Sequence, residues 1–191
     1  LTDSGLARLT QTVKPAQNVR PQGQDVRLGS ELLPAGLHLR PQDLGVIASV
    51  GLARVAVRRP LRVAVISTGD ELVEPGAALQ PGQIYNSNRF TLIGALQRLG
   101  QHIIDGGILP DDPAHTSSRL RALADQADVI ISSGGVSVGE ADCLGQVLRE
   151  QGEVALWKLA IKPGKPFTLG RFADTPLLGL PGNPAATLVT F

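Results

Sequence analysis

The chain has 191 residues, enough for one well-formed core or one core with an accessory piece, and 42% hydrophobic residues fit a folded domain rather than a disordered segment. With 18 Lys or Arg against 17 Asp or Glu, the net charge of +1 gives no bulk attraction to nucleic acid or acidic membrane, so any anionic ligand has to be held by a local site. A single cysteine, Cys143, excludes an intramolecular disulfide and agrees with a reducing cytoplasm, and no apolar run approaches the ~18 residues of a membrane span.

Leu1-Thr2-Asp3 is neither an initiator nor a signal peptide, and Phe191 falls inside an apolar helical pattern, so the sequence reads as a fragment. Leu6 and Leu9 suggest a helix end within Leu1–Thr12. From Val19 to Arg40 the pattern predicts strand, turn and strand, punctuated by Pro21-Gln22-Gly23, Pro34-Ala35-Gly36 and Pro41. Val46–Val57 fits two short strands or a short helix. Residues 1–59 are therefore expected to form a partial β-rich accessory domain without chemistry of its own, the lone His38 included.

Residues 60–191 follow another rhythm. Arg62–Ser67 is an apolar run of strand length, and Asn88–Leu99 has Phe90, Ile93, Leu96 and Leu99 on one helical face with Gly100 as the stop. His102–Ile104 with Ile108-Leu109 is a second strand region, and Pro113 opens a helix running to Gln126. Asp128–Ser132 is a third strand, Asp142–Gln151 a helix, Val154–Ala160 a fourth strand, and Phe167–Gly170 and Leu177–Leu180 further short ones. Strands alternating with helices predict an α/β fold, a mostly parallel sheet with helices on both faces. Ligands of such sheets sit outside the carboxyl ends of the strands, and each loop of interest follows a strand.

Ser132-Ser133-Gly134-Gly135-Val136-Ser137-Val138-Gly139 combines three glycines and three hydroxyls ahead of a helix. Glycine lets backbone approach an anion, hydroxyls donate to it, and the helix N-terminus adds N–H groups and positive dipole, although an ordinary tight turn has the same composition. Three strand ends carry acidic pairs: Thr68-Gly69-Asp70-Glu71, Asp111-Asp112 and Glu140-Ala141-Asp142. Singly, Asp112 and Asp142 read as helix caps; together the carboxylates read as a metal and oxyanion site, with Mg²⁺ the usual cation for oxygen ligands. Lys162-Pro163-Gly164-Lys165-Pro166 presents two ammonium groups on a stiffened loop, suited to an oxyanion or to plain solvation. Gly179-Leu180-Pro181-Gly182-Asn183-Pro184 forms a rigid turn into the last helix.

Taken in order, Ser67-Thr68-Gly69-Asp70-Glu71-Leu72, Ser132 through Asp142, Ile161 through Pro166 and Gly179 through Pro184 resemble the molybdopterin molybdenumtransferase family, which includes the E domain of gephyrin. Ile84-Tyr85-Asn86-Ser87-Asn88-Arg89 also resembles a family segment. The resemblance implies Mg²⁺-dependent insertion of molybdate into adenylated molybdopterin with release of AMP. It implies catalytic roles for Glu71, Asp111, Asp112 and Asp142, with Glu71, Asp112 and Asp142 as the metal set. Thr68, Gly69, Asp70, Asn88, Ser133, Gly134, Gly135, Val136, Ser137, Gly139, Lys162, Gly164, Lys165, Pro181, Gly182, Asn183 and Pro184 would bind substrate. It further implies a homodimer, a molybdopterin adenylyltransferase and molybdoenzyme acceptors as partners, and a cytoplasmic location. Two alternatives remain open at this point: an adenylyltransferase of the same fold, and a non-catalytic molybdopterin-binding or scaffold module.

Overall fold

The computed structural model describes residues 5, 11–135 and 142–191. Val136, Ser137, Gly139 and Glu140 lie outside the described residues, as does most of the helix end expected over Leu1–Thr12. The chain divides into two compact units, Leu1–Val57 and Arg58–Phe191.

The described residues of the first unit contain no strand, against the expectation of a β-rich domain. Positive φ at Ala16, Asn18, Gly23, Gly29 and Gly36 turns the chain every few residues, and Val19 and Leu28 stay exposed, so no segment runs long enough to enter a ladder. The regular element is helix α1 (Pro41–Ser49), where Pro41 occupies the first turn and Asp43 reaches back to accept from the Arg40 N–H at 2.9 Å.

The second unit is built on a six-stranded sheet. Its strands are β1 (Arg62–Thr68), β4 (His102–Leu109), β5 (Val129–Ser133), β6 (Glu153–Trp157), β7 (Thr168–Phe172) and β8 (Thr175–Leu180), in spatial order β4-β1-β5-β8-β7-β6. A separate parallel pair joins β2 (Leu72–Val73) to β3 (Ile84–Tyr85). The helices are α2 (Ser87–Arg98), α3 (Pro113–Ala124), α4 (Cys143–Gln151) and α5 (Pro184–Thr190).

β4, β1, β5 and β8 run parallel, while β7 is antiparallel to both β8 and β6. Two reversals restore direction, so β6 points the same way as the parallel four. The carboxyl ends of β1, β4, β5, β6 and β8 therefore share one edge. β1 is buried from Val63 to Thr68, as an inner strand covered on both faces must be. Its side chains alternate: Ala64 and Ile66 join Leu120, Leu123, Leu144 and Leu148 under α3 and α4, whereas Val63 and Val65 join Leu92 and Leu96 of α2. Each such leucine contributes about 1.5–3 kcal/mol by its removal from water.

Three elements depart from the sequence reading. Within α2 the buried stripe is Asn88, Leu92 and Leu96; Phe90 and Leu99 face solvent. The two apolar pieces around Asp105 form one strand, β4, which carries an extra residue opposite Val65 and Ile66. β6 ends at Trp157 rather than Ala160, and as an edge strand it leaves Val154 and Leu156 partly exposed. Among the described residues no helix is long and apolar enough to cross a membrane.

Candidate active site

The strand ends meet at a cleft of about 500 Å³, within the size range of small-molecule sites. Register places them side by side: Ser67 of β1 pairs with Ser133 of β5, Thr68 with Leu109 of β4, and Ser133 with Leu180 of β8. The cleft is lined by residues from the loops that follow these strands and from the start of α2.

The glycine loop after β5 is tied to β1 and β8. Gly134 donates its N–H to the Leu180 carbonyl at 3.0 Å. Gly134 and Gly135 have φ of +89° and +65°, and a Cβ at Gly135 would lie 2.5 Å from Thr68 Oγ1 and 2.9 Å from Leu144 Cβ. The glycines are thus required by the close approach of this loop to Thr68 and α4, in addition to any ligand.

Asn88 joins the remaining loops. From the second position of α2 its Nδ2 donates to Ser133 Oγ at 2.8 Å and to the Gly182 carbonyl at 2.7 Å. Both amide protons are therefore committed within the protein. Asn88 holds the β5 and β8 loops in register, and only its carbonyl end is left for a ligand. Pro181, Gly182 and Pro184 line the cleft beside it. Asn183, at the same turn, caps α5 by accepting from the Ala186 N–H at 3.2 Å. The neighbouring Arg89 donates to Asp105 at 2.7 Å and also pairs with Glu74, anchoring the segment after β2 to β4 and holding the Asp105 carboxyl below the usual carboxylate range.

Asp142 is the most perturbed carboxyl of the cleft. It caps α4, with Oδ1 accepting from the Gly145 N–H at 2.8 Å, and Oδ2 is buried without a partner among the described residues. Burial pushes its pKa up to about 6; the Gly145 N–H and Arg149 oppose the shift, and Asp111 adds to it. Asp111 is raised as well, by partial burial first and then by Asp70 and Glu71. Asp70 sits at the rim and accepts from the Asp111 N–H at 3.0 Å.

Glu71, Asp111 and Asp142 line the cleft together with Thr68, Gly69 and Ser133. Asp112 does not: it turns away to cap α3, accepting from the His115 N–H at 2.7 Å. Among the described residues no three His, Cys, Asp or Glu side chains converge on one point, so the expected metal set of Glu71, Asp112 and Asp142 is not assembled. Adjacent residues in an extended turn point to opposite sides, and the helix took Asp112.

Lys162, Gly164 and Lys165 belong to the β6–β7 connection at the same sheet edge, but of this loop only Pro166 lines the cleft, and both lysines are exposed. Cys143, the first residue of α4, also lies outside the lining; partial burial and the neighbouring carboxylates push its thiol up. Leu72, Ile84, Tyr85, Asn86, Ser87 and Pro166 also line the cleft, although none was among the expected site residues. For Ile84, Tyr85, Asn86 and Ser87 the sequence signal was the segment from Ile84 to Asn88, whose polar run Asn86-Ser87-Asn88 at the start of a helix is longer than one cap requires.

A mostly parallel α/β sheet with a polar cleft at its carboxyl edge defines a ligand-binding domain of the doubly wound class. Residues 64–191 match the family described as the probable molybdopterin binding domain, and residues 2–51 match the MoeA N-terminal region (domain I and II). The chain belongs to this molybdopterin-binding family. It is 49% identical over 191 residues to a molybdopterin molybdenumtransferase of Haemophilus influenzae, which covers 100% of this chain and 47% of that one. It is 41% identical over 184 residues to a molybdopterin molybdenumtransferase of a Nostoc species, covering 94% of this chain and 42% of that one. A molybdopterin biosynthesis MoeA protein of Pyrococcus horikosii superposes with a TM-score of 0.72 at 38% identity, over 87% of this chain and 41% of its own. The chain spans about half the length of the curated relatives it matches.

Proposed function

We propose that this chain is the molybdopterin-binding part of a molybdopterin molybdenumtransferase, acting in molybdenum cofactor biosynthesis by inserting molybdate into adenylated molybdopterin with release of AMP. The observation that carries the reading is the cleft itself: in a chain of this family, Glu71, Asp111 and Asp142 share a cavity of substrate size with the glycine loop after β5. The relatives' names supply the reaction, and the cleft supplies groups suited to it.

Hydrolysis of a phosphoanhydride adds water across one P–O bond, leaving a phosphate monoester on the pterin and AMP. Water attacking phosphorus must lose a proton. Asp142, with a pKa raised to about 6 and one oxygen unpartnered, is mostly ionised at neutral pH and accepts that proton with little excess driving force either way. Asn88 fixes the two loops between which the substrate lies, and Pro181 and Pro184 give those walls rigidity. Mg²⁺ usually takes one or two carboxylates and completes its shell with water and substrate phosphates. Asp111, which lines the cleft and feels the charge of Asp70 and Glu71, fits that role in place of the three-carboxylate set and leaves the unpartnered Asp142 Oδ2 to take the proton. When bound, the cation would offset charge on the phosphoanhydride.

On this reading the substrate is supplied by a molybdopterin adenylyltransferase and the product passes to molybdoenzyme acceptors, in the cytoplasm, with the protein working as a homodimer. The test is AMP release from adenylated molybdopterin with molybdate and Mg²⁺, compared between wild type and Asp142→Ala. Release that requires molybdate and is lost in the variant supports the reading. Release without molybdate, or none at all, overturns it.

A further inference from the structure

α3, α4 and α5 each begin with an Asp or Asn whose side chain accepts from a backbone N–H of the first turn. The twelve-residue α2 does not, although Asn86 at its cap position is among the best capping residues. The reason lies in β1. The buried Ser67 hydroxyl donates to Asn86 Oδ1 at 3.0 Å and draws the amide away from the helix. Asn86 Nδ2 is then left without a partner among the described residues, although the residue is only 1% exposed. Thr68, the next residue along β1, likewise has a buried and unpartnered Oγ1.

Asn86, Ser87, Asn88 and Thr68 all line the cleft. Residues 84–88 bring no carboxylate, so this corner is supplied by donors while the negative groups come from the β1 and β4 ends and the α4 cap. A buried amide N–H, a buried hydroxyl and an uncapped helix N-terminus are each costly when empty, and each is satisfied by the same kind of ligand, an oxygen bearing negative charge. The Asn86 donors also prefer an anion that keeps its charge, since they offer no acceptor for a ligand O–H.

We infer that Asn86 Nδ2, Thr68 Oγ1 and the N-terminal N–H groups of α2 form a docking corner for a tetrahedral oxyanion, with Ser67 as the residue that turns Asn86 towards it. The oxyanion is either the phosphate of a nucleotide ester or a free ion such as molybdate. The inference takes its choice of ligands from the proposed function, but its test needs no turnover.

Binding of AMP, of inorganic phosphate and of molybdate, each alone and with magnesium chelated, is measured by calorimetry on wild type, Asn86→Asp and Thr68→Val. Asn86→Asp keeps the acceptor for Ser67 but replaces the donor with a negative oxygen, so affinity should fall about ten-fold or more. Thr68→Val keeps the shape and removes the hydroxyl, so affinity should fall several-fold. Because that hydroxyl is buried without a protein partner, the Thr68→Val melting temperature should equal or exceed the wild-type value. Binding of AMP but of neither free ion assigns the corner to the ester; binding of molybdate or phosphate assigns it to the free oxyanion. Wild-type affinity in both variants, no oxyanion binding by the wild type, or a Thr68→Val protein that melts several degrees lower would each overturn the inference. If molybdate-dependent AMP release persists while the Asn86 variant binds as wild type does, this corner is misassigned and the proposed function stands. If AMP release fails while anion binding still depends on Asn86, the reverse holds.

Discussion

Asn88→Ala tests the strut that holds the cleft. The side chain is buried and its Nδ2 makes two hydrogen bonds, at 2.8 Å to Ser133 Oγ and 2.7 Å to the Gly182 carbonyl. A net hydrogen bond contributes about 1 kcal/mol, and an acceptor left buried without a partner costs about 1–3 kcal/mol. The Ser133 hydroxyl can rotate towards another group, and the carbonyl of the exposed Gly182 can turn to water. The two bonds together give an expected loss of about 2 kcal/mol, which for a protein of this size lowers the melting temperature by roughly 4–8 °C. Urea unfolding monitored by circular dichroism reads the free energy, with the slope expected to match wild type.

A double-mutant cycle with Ser133→Ala isolates one of the two bonds. If the strut acts as described, the two substitutions are coupled by about 1 kcal/mol, because the second removes a partner already lost. Asn88→Ala should also weaken ligand binding more than its direct contacts account for, since both loop walls are released. A loss below about 0.5 kcal/mol with no coupling would refute the reasoning and return Asn88 to a direct ligand role.

The remaining predictions concern the carboxylates and the glycine loop. Asp142 has a folded pKa of about 6 against an ordinary 3.8, so the native state binds the extra proton between those values, and wild type loses stability as pH rises through that window. Asp142→Asn keeps the acceptor for Gly145 N–H and removes the charge; its advantage over wild type should grow from pH 4 to pH 6 and level off at about 3 kcal/mol at most, and a pH-independent difference in urea midpoints would contradict the assignment. Asp112→Ala should cost about 1 kcal/mol through loss of the α3 cap and leave AMP release intact; lost activity in a folded variant would restore Asp112 to the metal set. Gly135→Ala combines a positive φ with a Cβ 2.5 Å from Thr68 Oγ1, so a destabilisation of about 2–4 kcal/mol is expected, and a variant that melts with wild type would show that the loop can move off Thr68.

What the sequence disclosed and what it concealed follow from the range of the forces involved. β1 was legible because an inner parallel strand must be apolar on both faces, a requirement written into the four consecutive residues Val63 to Ile66. The direction of β7 was not, since apolar content is the same in either direction; the loop after β6 still reached the correct edge because two reversals cancel. The carboxylates Glu71, Asp111 and Asp142 were found because each follows a strand end, and that position alone puts a residue on the ligand edge. Asp111 and Asp112 could not be told apart, because helix capping decides between neighbours by about 1 kcal/mol and leaves no mark in composition. Asn88 was named as a ligand contact for want of its partners, 45 and 94 residues away along the chain. Ser67 and Asn86 show the same limit more sharply. Their hydrogen bond spans 19 residues, and only the fold reveals that it diverts a cap and leaves a buried donor unpartnered on a residue that lines the cleft. The residues that make a site are thus visible one strand end at a time, whereas the bonds that orient them become visible only once the strands stand side by side.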